Sequence, residues 1–203
     1  MLLCLTLLFA ACTETTSNAQ PQEAQKANHQ SKEVNQKEET LAVTPASVST
    51  NTIDVNGISR TYLTYMPESA SGSIPVIIQF HGGAGTAQDA YFTSNFDATA
   101  DEEGILMVYP QAETSTGSVW NTIHASEGNK VSSDDFGFIE AIISRLSEDS
   151  RIDTSRIYVA GYSNGAAMAY QIACHLNDQI AGFAVMSGNF PLEADYPCDI
   201  THE

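Results

Sequence analysis

The sequence predicts an α/β fold, a mostly parallel sheet with helices on both faces. Three observations carry that prediction. Continuous apolar runs recur at residues 74–80, 105–109, 156–160 and 182–186, the pattern of strands buried on both faces. Segments of helical spacing separate them, as parallel strands require of their connections. Two Gly-rich segments, His81-Gly82-Gly83-Ala84-Gly85 and Gly161-Tyr162-Ser163-Asn164-Gly165, each follow one of these strands, at the carboxyl ends where such sheets bind ligands.

The chain begins with a segment of different character. Residues 2–11 are an apolar run of ten, about half of what a bilayer span needs, and they read as an export signal. The run ends Ala10-Ala11-Cys12, which resembles a bacterial lipoprotein signal in which Cys12 is lipidated and opens the mature protein. No Lys or Arg precedes Cys12, so an ordinary secretory signal and a cytoplasmic chain stay open as alternatives. Residues 13–50 contain no Phe, Tyr or Trp. Such a stretch buries too little apolar area to offset the entropy of ordering, and it reads as a disordered tether between the signal (1–12) and a folded domain (51–203).

Composition narrows the partners. Asp and Glu number 25 against 8 Lys and Arg, a net charge of -17 over 203 residues. No basic surface is left to neutralise phosphates, which excludes nucleic acid as a partner. A membrane is reached only through a lipid on Cys12.

Within the folded part, Ile53 and Val55, then Asn56-Gly57, then Ile58, Tyr62, Leu63 and Tyr65 predict two strands joined by a tight turn. The strand at 74–80 empties into His81-Gly82-Gly83. A helical stretch with a break spans 87–103, and a strand spans 105–109. Residues 135–146 place Phe138, Ile139, Ile142, Ile143 and Leu146 at helical spacing. A strand at 156–160, a helix at 164–176 and a strand at 182–186 complete the order.

The chemistry concentrates at Ser163. A G-x-S-x-G sequence between a strand and a helix makes a sharp turn that strains the Ser backbone and exposes its hydroxyl, while the flanking glycines remove Cβ atoms that would clash. The helix N-terminus behind it favours developing negative charge. Backbone N–H groups of the His81–Gly85 loop, together with that of Asn164, are placed to hold an oxyanion, worth roughly 3 kcal/mol per donor. His81 itself reads as structural, because it ends a strand ahead of the turn. Tyr162 and Trp120, the only Trp, are candidates for an aromatic wall of the substrate cleft, with core packing the alternative for Trp120. Asp134-Asp135 has the form of an acid pair, but the Ser132-Ser133-Asp134 stretch that opens a periodic helix reads as its cap, and His124 as a solvated loop residue.

The segments VIIQFHGGAG, ILMVYPQA, WN, DDFGFIEAII and RIYVAGYSNGAAMAYQIAC together resemble the α/β-hydrolase esterases that include polyhydroxybutyrate depolymerases and feruloyl or acetyl-xylan esterases. The likeness runs from about Ile53 to about Cys198. It implies that Ser163 is the nucleophile, that Gly83 and Asn164 are the oxyanion donors, and that no metal or organic cofactor takes part. Polyester, feruloylated xylan and small acyl esters are all compatible with these motifs as substrates. An exported domain with two cysteines, and the resemblance to disulfide-bearing esterases, imply a Cys174–Cys198 bond.

Enzymes of this fold place an acid and then a His after the nucleophile. Only 40 residues follow Ser163, and their histidines are poor candidates, since His175 lies on the helix behind the turn and His202 follows Cys198 closely. The expectation is therefore an exported serine esterase truncated before its last strands, inactive as it stands. A split or decayed gene and a complete protein with a rewired site are the alternatives to truncation. A catalytically inactive binding lipoprotein is the alternative function, and a peptidase is a third.

Overall fold

The computed structural model describes residues 48–122, 132–188 and 198. The signal and its Cys12, the tether as far as residue 47, His124 and His202 lie outside the described residues. Strands β1 (Val48–Val55) and β2 (Ile58–Tyr65) form an antiparallel hairpin. Asn56 and Gly57 both have positive φ, 54° and 83°, which gives the turn the twist of its strands. β1 begins at Val48, inside the stretch expected to be tether as far as residue 50. Pairing of Val48 with Tyr65 and of Ser49 with Thr64 orders those residues through backbone hydrogen bonds, which composition does not register.

Strand β3 (Ile74–Phe80) follows, then helices α1 (Ala87–Ser94) and α2 (Asp97–Glu103), β4 (Leu106–Pro110), a 3-10 turn (Thr114–Thr116), α3 (Asp135–Ser147), β5 (Ile152–Tyr162), α4 (Asn164–His175) and β6 (Gly182–Met186). The break expected within 87–103 falls at Asn95, which is left-handed with φ 50°. α1 opens with a reciprocal cap in which the Thr86 hydroxyl accepts from the Asp89 backbone N–H, and the Asp89 carboxylate accepts from the Thr86 N–H. That arrangement satisfies two donors otherwise orphaned by the helix start. β5 is longer than the apolar run that signals it. It starts at Ile152, opposite Ile74, and passes through a register irregularity before Ile157 meets Val76.

The six strands lie in the order β1-β2-β4-β3-β5-β6. β2 pairs antiparallel with β4, whereas β4, β3, β5 and β6 are mutually parallel. Alternation along β3 divides the core. Ile74, Val76, Ile78 and Phe80 face one layer with Phe138, Ile139 and Ile142 of α3 and Met168, Ala169 and Ile172 of α4. Ile77 faces the other layer, where Ala87, Ala90 and Tyr91 of α1 and Ala100 of α2 pack on Met107 and Tyr109. The chain leaves β3 through α1 and α2 toward β4 on one side, and leaves β5 through α4 toward β6 on the other. The strand order therefore diverges between β3 and β5, the place in such sheets where a crevice opens.

One polar cluster is buried between hairpin and helix. Asp135, fully buried at the start of α3, accepts hydrogen bonds from Arg60 of β2 (2.6 Å), from the Asn121 backbone N–H (2.7 Å) and from the Ser133 hydroxyl (3.0 Å). The Arg60 guanidinium, 4% exposed, also lies 4.2 Å from the centre of the Phe138 ring. Asp134 alone caps α3, accepting from the Gly137 N–H at 2.9 Å. Cys174 near the end of α4 is bonded to Cys198. Sequence signals did not mark the Arg60–Asp135 pair, although two acids opening one helix leave one of them without capping work.

Removing one partner of a buried ion pair strands the other charge. Asp135→Ala is expected to lower the unfolding free energy by about 3 kcal/mol or more, read from urea unfolding curves followed by circular dichroism.

Candidate active site

β5 ends at Tyr162 and α4 begins at Asn164, so Ser163 alone makes the turn between them. Its backbone sits at φ 54°, ψ -119°, a conformation that L-residues with a Cβ reach only under strain. The strain is held by packing on each side of the residue. A Cβ on Gly161 would collide with the Gly165 carbonyl and approach the Ala166 nitrogen to 2.8 Å. A Cβ on Gly165 would collide with the His81 carbonyl oxygen and stand 2.6 Å from that of Phe80. Both glycines are thus required by backbone proximity, and the turn is pressed directly on the end of β3. The Ser163 N–H is tied to β6 by donation to the Met186 carbonyl at 2.9 Å. Although Ser163 occupies the N-cap position of α4, its side chain makes no capping hydrogen bond, and the residue is exposed.

The loop after β3 stands opposite. A Cβ on Gly82 would lie 3.6 Å from the Ser163 Cβ, and one on Gly83 would lie 3.6 Å from the Asn164 Cβ. The Ala84 N–H is consumed by the Ser118 carbonyl, and that of Gly85 by the Gly82 carbonyl. Among the described residues the N–H groups of Gly83 and Asn164 have no backbone acceptor. Asn164 is the first residue of α4, where intrahelical partners do not exist for the donor. An exposed hydroxyl beside two unused N–H donors can form a covalent adduct and stabilise negative charge on its oxygen.

His81 is fixed by backbone groups at both ring nitrogens. Its Nδ1–H donates to the Gly82 carbonyl at 2.7 Å, and Nε2 accepts from the Ala112 N–H at 3.1 Å. Those partners hold one neutral tautomer. Burial pushes its pKa below the usual histidine value, against smaller opposing effects from the Gly82 carbonyl and the Asp89 and Asp135 charges. His175, at the C-terminal end of α4, is 3.1 Å from Gln171 Oε1 and packs edge-on to Phe136. Among the described residues no hydrogen bond links a side chain to the Ser163 hydroxyl.

Trp120 is not a wall of the cleft. It is 1% exposed, packs edge-on against Phe80 with ring centres 5.2 Å apart, and belongs to the core between the sheet, α3 and α4. Its role in the site is to join two pieces of it. The indole N–H donates to the His81 carbonyl at 2.9 Å, and the backbone N–H donates to Asn164 Oδ1 at 2.7 Å. Asn121 then continues to the buried Asp135. The aromatic at the cleft is Tyr162, 54% exposed, which with Met186 borders a cavity of about 470 Å³. The opposite wall is α1 through Asp89, Ala90, Thr93 and Ser94, and the Gly82–Gly83 loop closes one end. Among the described residues no group of three His, Cys, Asp or Glu is arranged to hold a metal ion.

The depressed His81 pKa has a sign. The unfolded chain binds this proton more readily than the folded one, so the contribution of His81 to stability is complete above about pH 6.5 and is lost as pH falls through the lower folded value. Urea midpoints measured between pH 7.5 and pH 5 should fall with acidity, and a His81→Gln variant, weaker at the start, should show a shallower fall.

Residues 60–198, more than half of the chain, match the family described as esterase PHB depolymerase. Sequence relatives include a bifunctional acetylxylan esterase/xylanase of Neocallimastix patriciarum, 28% identical over 132 residues, covering 65% of this chain and 18% of the relative. Feruloyl esterase B of Thermothelomyces thermophilus is 28% identical over 129 residues, covering 61% of this chain and 42% of the relative. The chain thus spans less than half the length of these curated relatives. The solved structure of an acetyl xylan esterase from Aspergillus awamori is similar with a TM-score of 0.57 at 19% identity, covering 69% of this chain and 52% of that one. An S-formylglutathione hydrolase from Agrobacterium tumefaciens gives 0.58 at 17%, covering 70% and 57%. At those identities the structures speak for fold alone, and the fold is that of the α/β-hydrolases. With a strand-to-helix turn at Ser163, a Gly-rich loop across from it and the family match over both, the chain belongs to the PHB depolymerase esterase family.

Proposed function

We propose that this protein is an exported serine esterase that hydrolyses carboxylic esters through an acyl-enzyme on Ser163, with Gly83 and Asn164 holding the oxyanion. The observation that carries the reading is the strained, exposed Ser163 at φ 54° facing a loop whose Gly83 N–H, like that of Asn164, has no backbone acceptor among the described residues. Attack by the hydroxyl on the ester carbonyl would put negative charge on the carbonyl oxygen next to the Gly83 and Asn164 N–H groups, and collapse would expel the alcohol. Water would then release the acid by the same route. The names of the relatives favour esters of polysaccharide or polyhydroxyalkanoate type. A net charge of -17 disfavours anionic substrates and agrees with a neutral ester. The apolar run ending at Cys12 supports export, with a lipid on Cys12 as its anchored form.

A serine hydroxyl needs a base to take its proton. His81 is bound to backbone at both nitrogens, and His175 is held by Gln171 and Phe136, so the reading assigns the base and its acid partner to residues outside the described ones. The lack of a base among the described residues is what favours the second reading, a binding lipoprotein on the same fold.

Chemical rescue separates the two. Treated with a fluorophosphonate, the chain should acquire an adduct mapped by mass spectrometry to Ser163, formed faster in added imidazole and absent from Ser163→Ala. A folded chain that gains no adduct at Ser163 even with imidazole would sink the esterase reading and leave the binding one.

A further inference from the structure

The floor of the cleft is polar where the sequence around it is not. Gln79 interrupts the apolar run Ile74–Phe80 two residues before His81. It points to the same side of the sheet as Ile77 and lies opposite Ala160 of β5. The residue is 4% exposed, it lines the cleft beside Tyr162 and Gly82, and its carboxamide oxygen is buried with no hydrogen-bond partner. A buried oxygen without a protein partner costs stability, so a Leu or Met would be better tolerated here on stability alone. A polar group in that condition calls for an explanation, and beside a cavity a ligand supplies one.

We propose that Gln79 is a specificity-determining residue that recognises a hydroxyl on the part of the ester lying in this cleft. The chemistry follows from the carboxamide. One end accepts and the other donates, and the terminal torsion that exchanges them is soft. A hydroxyl both donates and accepts, so it matches either end, whereas an ether or a ketone only accepts and leaves the carboxamide oxygen unpaired, and an alkyl group matches neither end. The rest of the lining matches a small neutral chain: Tyr162, Met186 and Ala90 offer apolar surface, the Thr93 and Ser94 hydroxyls donate to the Asp89 and Tyr91 carbonyls of their own helix, and the exposed Asp89 carboxylate is already engaged by Thr86. A substrate lacking the hydroxyl would enter the same space and leave the carboxamide unsatisfied, which is how a polar site rejects a deoxy analogue more sharply than an apolar pocket rejects a methylene.

The identity of the ligand as an ester rests on the esterase reading, whereas the recognition of a hydroxyl does not depend on Ser163 chemistry. The test is therefore made by binding, in the Ser163→Ala form of the full chain, with shift titrations by nuclear magnetic resonance. Methyl 3-hydroxybutyrate is compared with methyl butyrate, and 2-hydroxyethyl butyrate with propyl butyrate. The first pair places the hydroxyl on the acyl side and the second on the alcohol side, so the pair that discriminates names the side of the ester that faces Gln79. The hydroxylated member of one pair should bind about tenfold tighter, and Gln79→Leu should abolish that preference while raising the thermal midpoint. Equal affinity within both pairs, a comparison that needs no Gln79 variant, overturns the proposal, as does a preference that survives in folded Gln79→Leu or Gln79→Met. Loss of Ser163 labelling with the hydroxyl preference intact would remove the esterase reading and keep the binding site.

Discussion

The close approach of α4 to the end of β3 is the constraint on which the rest of the site depends. Gly165 leaves no room between the helix and the carbonyls of Phe80 and His81, and Gly161 leaves none between the last residues of β5 and the first turn of the helix. With both sides closed, Ser163 cannot relax to an ordinary backbone conformation without moving a strand. The energy of that strain, of order 1–3 kcal/mol for a non-Gly residue in such a region, is small beside the burial of Phe80, Met168, Ala169 and Ile172 that keeps α4 on the sheet. The core therefore decides the geometry of the turn, and the turn decides where the hydroxyl stands.

A second set of bonds fixes the loop across from it. Trp120 donates to His81 with its indole and to Asn164 with its backbone, so a single residue spans the two segments whose N–H groups face Ser163. Its neighbour Asn121 is held by Asp135, and Asp135 by Arg60. The chain of contacts runs from the hairpin at one side of the sheet to the crevice at its centre. His81 belongs to the same framework, with its ring consumed by Gly82 and Ala112. A histidine at the head of the loop that faces Ser163 invites a catalytic assignment, yet both its nitrogens are already spent on holding the loop.

The two faces of the sheet are covered unequally. On the side of α3 and α4 the strands β4, β3 and β5 are buried and Phe183 of β6, beside Tyr170, stays exposed, whereas on the side of α1 and α2 cover extends over β2, β4 and β3 but leaves Tyr158, Tyr162 and Met186 of β5 and β6 exposed. The cleft lies at that margin, between α1 and the uncovered ends of β5 and β6. Its apolar side at Tyr162 and Met186 and its polar floor at Gln79 both follow from that position, because β3 is the last strand on this side whose residues are shielded by α1.

By itself, the sequence determined the alternation of buried strands and helices, the Asn56-Gly57 hairpin turn, a break within the helical stretch 87–103 and the strand–Ser163–helix order. All of these are local: they depend on periodicity, on residues that tolerate positive φ, or on glycines whose spacing is read directly. Only the tertiary structure decided that Trp120 is a core residue joining two loops, that Asp135 pairs with Arg60, that β1 reaches back to Val48, and that the Gln79 carboxamide oxygen is buried without a partner. The first three depend on residues 17 to 75 positions apart in the chain meeting in the fold. Periodicity and composition describe a residue's own neighbourhood along the chain, and the partner that fixes its role arrives from elsewhere only when the sheet closes.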